Sequence, residues 1–539
     1  MRTLIEEAMR NARTPGVACV VMRGGEVVIS EGFGEAVLGS GVSVTADRTL
    51  FRVGSITKPL TATMILRLVE RGIVGLDVPV REYLPWFRVG VPDASARDDF
   101  SGCVTLRMLL SQMTGFVNDA GLERSTSLRE FVEHDVPRIR MAAAPGTLFS
   151  YSNVNFSVAA CVAEVVTGRS YEQLMREEVF APLGMERTGF DVDALLASGG
   201  SLALGHELQF DGSLLVQDLP MIDTPAAPGY MALSTAEDLA KFARLQLGRG
   251  ELLSKSSLDE MQRVQTPLFN TFRSGYGLGL FVRNNWVYHF GDVGKYSNLL
   301  TISPDEDAAV ITLANREFPH LQIAEQILQE KKITRPVGRG YLVEQDDAGV
   351  GVEIGSVASD SYAEKDGADV GFTSVEGDFF GGAVGFVKVW QEDGVTRLSK
   401  NGQVFRLDVQ SERPDFALAI DDAAGHAVFG VGVVDAAHLM VGNEACRKLA
   451  QSPELWTPTA EELQKYTGEY SHSGFLNSSV RLEGDTLIMR YHDGEQPLQP
   501  LAPNLFHAGW FGITDFQVDD AGRVVSYLYR QAIPFVRKW

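Results

Sequence analysis

The pattern of the chain changes once, near Lys332, and that change limits what the chain can fold into. Before it, apolar residues recur at helical spacing in several segments, with strand-like runs at both ends. A helical pattern starts near Ser55, runs through Leu60, Met64, Ile65, Leu68 and Val69, and is stopped by Gly72. Further helices are expected over Leu106–Gln112, Val154–Thr167, Ser170–Val179, Thr235–Leu247 and His320–Lys331. Residues 16–33 read as strand, turn and strand around Gly24-Gly25, and Gly277–Val282, Val287–Phe290, Leu299–Ser303 and Ala308–Ala314 read as strands. Strands at both ends with helices between predict one mixed α/β unit whose terminal segments meet in one sheet. After the change, short β-prone runs alternate with Gly, Asp and Asn turns. Examples are Ala383–Trp390, Val404–Val409, Val428–Val434, Val480–Leu482, Thr486–Tyr491, Phe511–Val518 and Val524–Tyr529. Such spacing predicts sandwiches or barrels. Residues 333–340 (ITRPVGRG) read as a linker, and a helical pattern at Thr459–Lys465 marks a second boundary. The expected plan is an α/β domain at 1–335 and two all-β, barrel-like domains at 336–455 and 456–539.

Composition narrows the class. With 45% hydrophobic and 22% charged residues the chain is an ordinary globular one, neither disordered nor collagen-like. No apolar run reaches the roughly 18 residues a membrane-spanning helix needs. The N-terminal stretch MRTLIEEAMRNARTPG has no apolar signal region, so a cytoplasmic location is expected. Cys19, Cys103, Cys161 and Cys446 form no paired motif, and Cys19, Cys161 and Cys446 read as core thiols. The nine histidines are scattered, so neither a metal nor an organic cofactor is expected. The formal charge is −22, and residues 336–539 carry 30 acidic against 16 basic side chains. An acidic surface makes nucleic acid and anionic membranes poor partners. Expected partners are a small-molecule or short-peptide substrate, and a homodimer is left open.

Three segments carry chemistry. In Phe51-Arg-Val-Gly-Ser55-Ile-Thr-Lys58, Ser55 and Lys58 share one face at a helix start. There Ser55 has a free backbone N–H and a dipole that suits an oxyanion. Lys58 can take the serine proton if burial lowers its pKa. In Pro145-Gly-Thr-Leu-Phe-Ser-Tyr151-Ser-Asn153, a lysine-stabilised phenolate on Tyr151 can act as base and then as acid. Asn153 supplies an amide to orient Lys58 and a substrate carbonyl. In Val287-Tyr-His289-Phe-Gly291-Asp292, a strand edge can add a second oxyanion donor, and Gly291 lets a substrate backbone come close. Each segment alone is ordinary, a helix start, a helix cap or a strand histidine.

Together, their order and flanks resemble the penicillin-binding-protein/class C β-lactamase superfamily of serine hydrolases over about residues 10–330. The serine-x-x-lysine, tyrosine-x-asparagine and lysine/histidine-x-glycine motifs fall on Ser55-Lys58, Tyr151-Asn153 and His289-Gly291. The flanks Val104–Phe116, Phe180–Phe190, Leu233–Leu239 and Tyr276–Leu280 are similar too. The resemblance implies an antiparallel sheet sandwiched by helices plus an all-helical subdomain, with the site in the cleft between them. It also implies an acyl-enzyme on Ser55, Lys58 and Tyr151 as proton carriers, and Ser55 and Asp292 N–H groups around the oxyanion. Which of Lys58 and Tyr151 is the base stays open.

The layout is similar to bacterial D-aminopeptidases and D-amino-acid amidases. β-Lactamases usually carry lysine where His289 stands, and a neutral imidazole grips a substrate carboxylate weakly. The expected function is therefore hydrolysis of D-aminoacyl amides or of N-terminal residues from short peptides, with the carboxylate of Asp292, or of another acidic residue from the β domains, attracting the substrate amine. The alternatives are a carboxylesterase, an acyltransferase or peptide cyclase, a β-lactamase or D,D-peptidase, and a non-enzymatic scaffold. The β domains are read either as a passive cover or as the source of a loop that limits substrate length.

Overall fold

The structure is a computed structural model. It describes residues 1–89, 99–116, 125–139, 141–209, 212–217, 224–268, 274–283, 286–330, 372, 375–381, 384–400, 403–410, 413–422, 426–442, 444–450, 456–472, 476–491, 494–508, 513–519, 521–529 and 533–538. The expected linker 333–340, the boundary at 335 and residue 455 lie outside the described residues. The described residues divide into two compact units, one made of the chain up to 330 with 456–538, the other of the stretch between them.

The first unit is built on an eight-stranded antiparallel sheet. Its strands are β1 (Gly16–Arg23), β2 (Glu26–Gly34), β3 (Thr266–Leu268), β4 (Ser274–Tyr276), β5 (Phe281–Arg283), β6 (Trp286–Phe290), β7 (Ser297–Ser303) and β8 (Ala308–Ala314), in the order β2-β1-β8-β7-β6-β5-β4-β3. The expected meeting of terminal segments is present: Val17 pairs with Ala314 and Arg23 with Ala308.

The central strands are apolar on both faces because helices cover both. Alternate residues divide between two cores. Ala18, Val20, Met22, Leu300, Ile302, Ile311 and Leu313 face one core, which also holds Leu239, Phe242 and Ala243. Val17, Cys19, Val21, Leu299, Val310 and Ala314 face the other, with Ile5, Ala8, Ile323, Ile327 and Leu328. The helices concerned are α1 (Arg2–Ala12), α2 (Thr57–Glu70), α3 (Val154–Thr167), α4 (Ala236–Gln246) and α5 (His320–Glu330). Helices α1 and α5 close one face, and α4 lies across β1, β7 and β8 on the other. Beyond α4, α2 packs against α3 and against short helices to make the helical part. Both are buried all round over a long run, Thr57–Leu66 in α2 and Val154–Ala163 in α3, as helices in the middle of a layer must be.

Two expectations are corrected. The strand expected at Gly277–Val282 is instead a turn followed by β5. Gly279 has φ +79°, Gly277 N–H donates to the Leu280 carbonyl, and Leu278 and Leu280 drop into the core, which continues the apolar pattern without a strand. The helix expected to reach Gln112 ends at Leu110, because Gln112 turns left-handed at φ +62°. Helix α1 was not foreseen. It buries only Ile5 and Ala8, too few to stand out in a polar stretch.

The two all-β parts close into barrels of eight antiparallel strands each. One runs from Gly377–Gly381 to Glu444–Lys448 and closes by pairing Phe379 with Lys448; the other runs from Gly468–His472 to Ile533–Lys538 and closes by pairing Tyr470 with Arg537. In the first, Val387, Val389, Phe405, Leu407, Ala417, Ala419, Val431 and Val433 point inward at every second position. In the second, five aromatic residues, Tyr466, Tyr470, Phe506, Phe516 and Tyr527, share the interior with aliphatic ones such as Val480, Leu487 and Met489.

Leu299 and Leu300 are neighbours, fully buried on opposite faces of β7. Leu299→Ala and Leu300→Ala should therefore each cost about 2–5 kcal/mol in urea unfolding. A sheet with one wet face would show that cost at only one of the two.

Candidate active site

A short helical turn, Gly54–Ile56, leads into α2 and carries Ser55, half-buried. One turn on, Lys58 sits inside the fully buried run of α2. Its Nζ lies 3.1 Å from Ser55 Oγ, 2.6 Å from Asn153 Oδ1 and 2.9 Å from the Gly229 carbonyl. It also lies over the rings of Tyr151 (4.7 Å) and Phe156 (5.5 Å). No carboxylate is among these neighbours, so burial alone drives the amine well below the usual lysine range. Pro59 lies in the first helical turn, where a missing N–H costs nothing.

Tyr151 and Asn153 stand in the loop that enters α3. Burial pushes the Tyr151 hydroxyl above the usual tyrosine range; a hydrogen bond with Ser55 opposes the shift, and the charge of Asp292 adds to it. Gln112, which sequence reasoning passed over inside a flank, holds this loop on both sides of Tyr151. Its carbonyl accepts the Ser150 N–H at 2.8 Å, and its side-chain oxygen accepts the Ser152 N–H at 2.9 Å and Asn155 Nδ2 at 2.5 Å. The left-handed backbone of Gln112 lets both ends of one residue reach the same loop.

His289 lies behind Tyr151, 1% exposed, with ring centroids 6.3 Å apart. Its Nδ1 donates to the Phe290 carbonyl at 2.6 Å, which leaves Nε2 to accept from the Tyr276 hydroxyl at 3.2 Å. The Tyr276 ring packs against Phe149, at 5.4 Å between centroids, next to the tyrosine loop. Burial first, and Lys58 second, press the His289 pKa down to about 3. A pKa lowered this far favours the neutral imidazole near pH 7.

Gly291 and Asp292 follow β6 and meet the turn that carries Ser55. A Cβ on Gly54 would stand 2.6 Å from the Gly291 carbonyl carbon and 2.8 Å from Asp292 N, and one on Gly291 would stand 1.9 Å from the Val53 oxygen. Two glycines facing each other thus bring the Ser55 turn and the Gly291–Asp292 peptide into backbone contact. The Asp292 side chain is solvent-exposed, yet the protein around the cleft shields it enough to raise its carboxyl above the usual range; a Ser297 hydrogen bond opposes this and Glu317 adds to it. Lys295, the nearest lysine in sequence, pairs with Glu207 at 3.0 Å.

All seven sequence-predicted residues converge. Ser55, Lys58, Tyr151 and Asn153 form one cluster, Gly291 and Asp292 flank it, and His289 reaches it through aromatic neighbours. Sequence reasoning missed Gln112, the Gly229 carbonyl and Asn298, whose Nδ2 donates to the Gly291 and Arg52 carbonyls. Among the described residues no group of three or more His, Cys, Asp or Glu is placed to hold a metal ion, and no helix is long and apolar enough to cross a membrane. Cys19, Cys161 and Cys446 are buried and Cys103 is exposed, all as free thiols.

The neutral His289 makes a stability prediction. Unfolded, a histidine takes its proton near pH 6.5; folded, this one takes it only near 3. Between those values the unfolded chain binds more protons, so stability falls as pH falls. Acid unfolding of wild type should be steeper than that of His289→Gln by up to about 1.4 kcal/mol per pH unit from pH 6 to 4.

Comparison with known proteins gives the family. The family model for Beta-lactamase matches residues 1–331. Protein flp of Staphylococcus aureus (strain MW2) is 27% identical over 326 residues, which is 58% of this chain and 62% of that protein. The chain thus spans about three fifths of the length of that curated relative. Among solved structures, SurE (TM-score 0.60, 25% identity) matches 83% of this chain and 98% of its own, and has also been solved with D-Leu. The octameric penicillin-binding protein homologue from Pyrococcus abyssi (TM-score 0.56, 24% identity) matches 83% of this chain and 99% of its own, a likeness of fold. The chain belongs to the Beta-lactamase family, the β-lactamase and penicillin-binding-protein-like serine hydrolases.

Proposed function

We propose that the chain forms an acyl-enzyme on Ser55 and hydrolyses D-aminoacyl amides or releases N-terminal residues from short peptides. The observation that carries this reading is the placement of Lys58. A neutral lysine has two N–H groups and one lone pair. Asn153 Oδ1 and the Gly229 carbonyl can only accept, so they take the two N–H groups, and the lone pair faces Ser55 Oγ at 3.1 Å. That geometry, with burial lowering the amine, favours Lys58 as base. Tyr151, whose hydroxyl burial keeps protonated, then suits the return of a proton to the leaving group.

In this scheme Ser55 Oγ attacks the carbonyl as its proton passes to Lys58. The tetrahedral oxyanion sits between the Ser55 and Asp292 N–H groups, each worth about 3 kcal/mol in such sites. Collapse expels the amine or alcohol, protonated through Tyr151, and water deacylates Ser55 by the reverse path.

The substrate class rests on three points. His289 is neutral and buried, so it offers no cation to a substrate carboxylate. Asp292 keeps an exposed carboxyl beside the second oxyanion donor, suited to the ammonium of an aminoacyl group. The likeness to SurE, solved with D-Leu, adds a D-residue. The domain plan 1–335, 336–455 and 456–539, a location in the cytoplasm and self-association as a homodimer complete the proposal.

A panel of D- and L-aminoacyl p-nitroanilides, p-nitrophenyl esters and a penicillin tests it. The D-aminoacyl anilides should turn over, with loss of at least about 10³-fold in Ser55→Ala. Asp292→Asn should raise KM for the anilides about tenfold and leave simple esters unchanged. Turnover of esters alone would make the chain a carboxylesterase, and an unchanged KM in Asp292→Asn would remove the amine contact.

A further inference from the structure

We infer that Asn298 is a positioning residue of the oxyanion site, acting on the peptide bond between Gly291 and Asp292. The inference rests on the reading of Ser55 as nucleophile and of the Asp292 N–H as oxyanion donor. Asn298 is in β7, fully buried. Its backbone carbonyl accepts the Gly291 N–H at 2.9 Å, and its Nδ2 donates to the Gly291 carbonyl at 2.6 Å. One side chain and its own backbone thus grip both ends of Gly291.

The Gly291 carbonyl and the Asp292 N–H belong to one planar peptide. A donor held on that carbonyl fixes the direction of the N–H at the other end. It also polarises that N–H, because hydrogen bonds through a peptide strengthen one another. The second hydrogen of Asn298 Nδ2 goes to the Arg52 carbonyl at 3.0 Å, on the strand that leads into the Ser55 turn. Both candidate oxyanion donors are therefore referenced to one buried amide.

The orientation of that amide is set by its neighbours. Both are carbonyl oxygens, so only the nitrogen end can face them, and among the described residues Oδ1 has no hydrogen-bond partner. No sequence motif marks the residue, since its two partners lie 7 and 246 positions away.

The test compares wild type, Asn298→Ala and Asn298→Asp on an ester that wild type hydrolyses and on the matching thionoester, in which sulfur replaces the carbonyl oxygen. Sulfur accepts hydrogen bonds poorly, so the ratio of the two rates reports what the oxyanion donors contribute. In Asn298→Ala, kcat for the oxoester should fall about 10–100-fold, somewhat less than loss of a direct donor, with KM within about threefold. The thionoester should suffer less, so the oxo/thiono ratio contracts by most of the same factor. Asn298→Asp faces two carbonyls with a carboxyl and should be at least as impaired. If it does not fold, the alanine variant carries the test without that repulsion.

Equal losses on both substrates, with an unchanged ratio, would mean that Asn298 only supports the fold and would overturn the inference. A wild type with no oxo/thiono preference, or a Ser55→Ala variant that keeps its rate, would instead remove the underlying reading of the site, and the inference with it.

Discussion

Everything at the site depends on one amine being kept out of water. Lys58 lies on a helix whose first ten residues are all buried, so its surroundings are set by the packing of α2 against α3 and the sheet rather than by a partner charge. An ammonium in such a place, with no carboxylate beside it, is expensive, and the neutral amine is favoured. The acceptors that remain, Asn153 and the Gly229 carbonyl, fix where the lone pair points. Burial and aim come from the same packing. That is why the helix reads as a core element and also carries the group proposed to activate Ser55.

The rest of the site is held by backbone and by neutral amides. The contact between the Ser55 turn and the Gly291–Asp292 peptide exists because neither Gly54 nor Gly291 has a Cβ. Gln112 grips the peptides on either side of Tyr151, and Asn298 grips the peptide that follows β6. Such bonds do not titrate, so the geometry persists across the pH range in which Lys58 changes charge. A site braced by ion pairs would loosen as its carboxylates took up protons.

Much of this was legible in the sequence, and the limits have physical reasons. Ser55, Lys58, Tyr151, Asn153 and His289 stand in short local patterns with chemistry of their own. The bounds of α3 were readable because a largely apolar run ends at Gly168, which takes the left-handed conformation (φ +70°). Gly277–Val282 misled because Leu278 and Leu280 alternate like strand residues while Gly279 turns the chain. Helix α1 was hidden by its polar outer face. Asn298 was not readable at all, because its meaning lies in the carbonyl of Arg52, brought to it only by the fold. Inward alternation made the barrels legible as all-β parts, but strand number and closure depend on pairings between the ends of each part, such as Phe379 with Lys448.

The central claim, a neutral Lys58 activating Ser55, is tested most directly by the pH dependence of covalent labelling. Wild-type protein would be treated with a fluorophosphonate from pH 5 to 11 and the adduct followed by intact mass. Because the base must be unprotonated, the rate rises with pH through the Lys58 pKa. The account predicts one adduct, absent in Ser55→Ala, with the rise complete well below the ordinary lysine value of about 10.4. A rise centred near that value, or an adduct that survives Ser55→Ala, would contradict it.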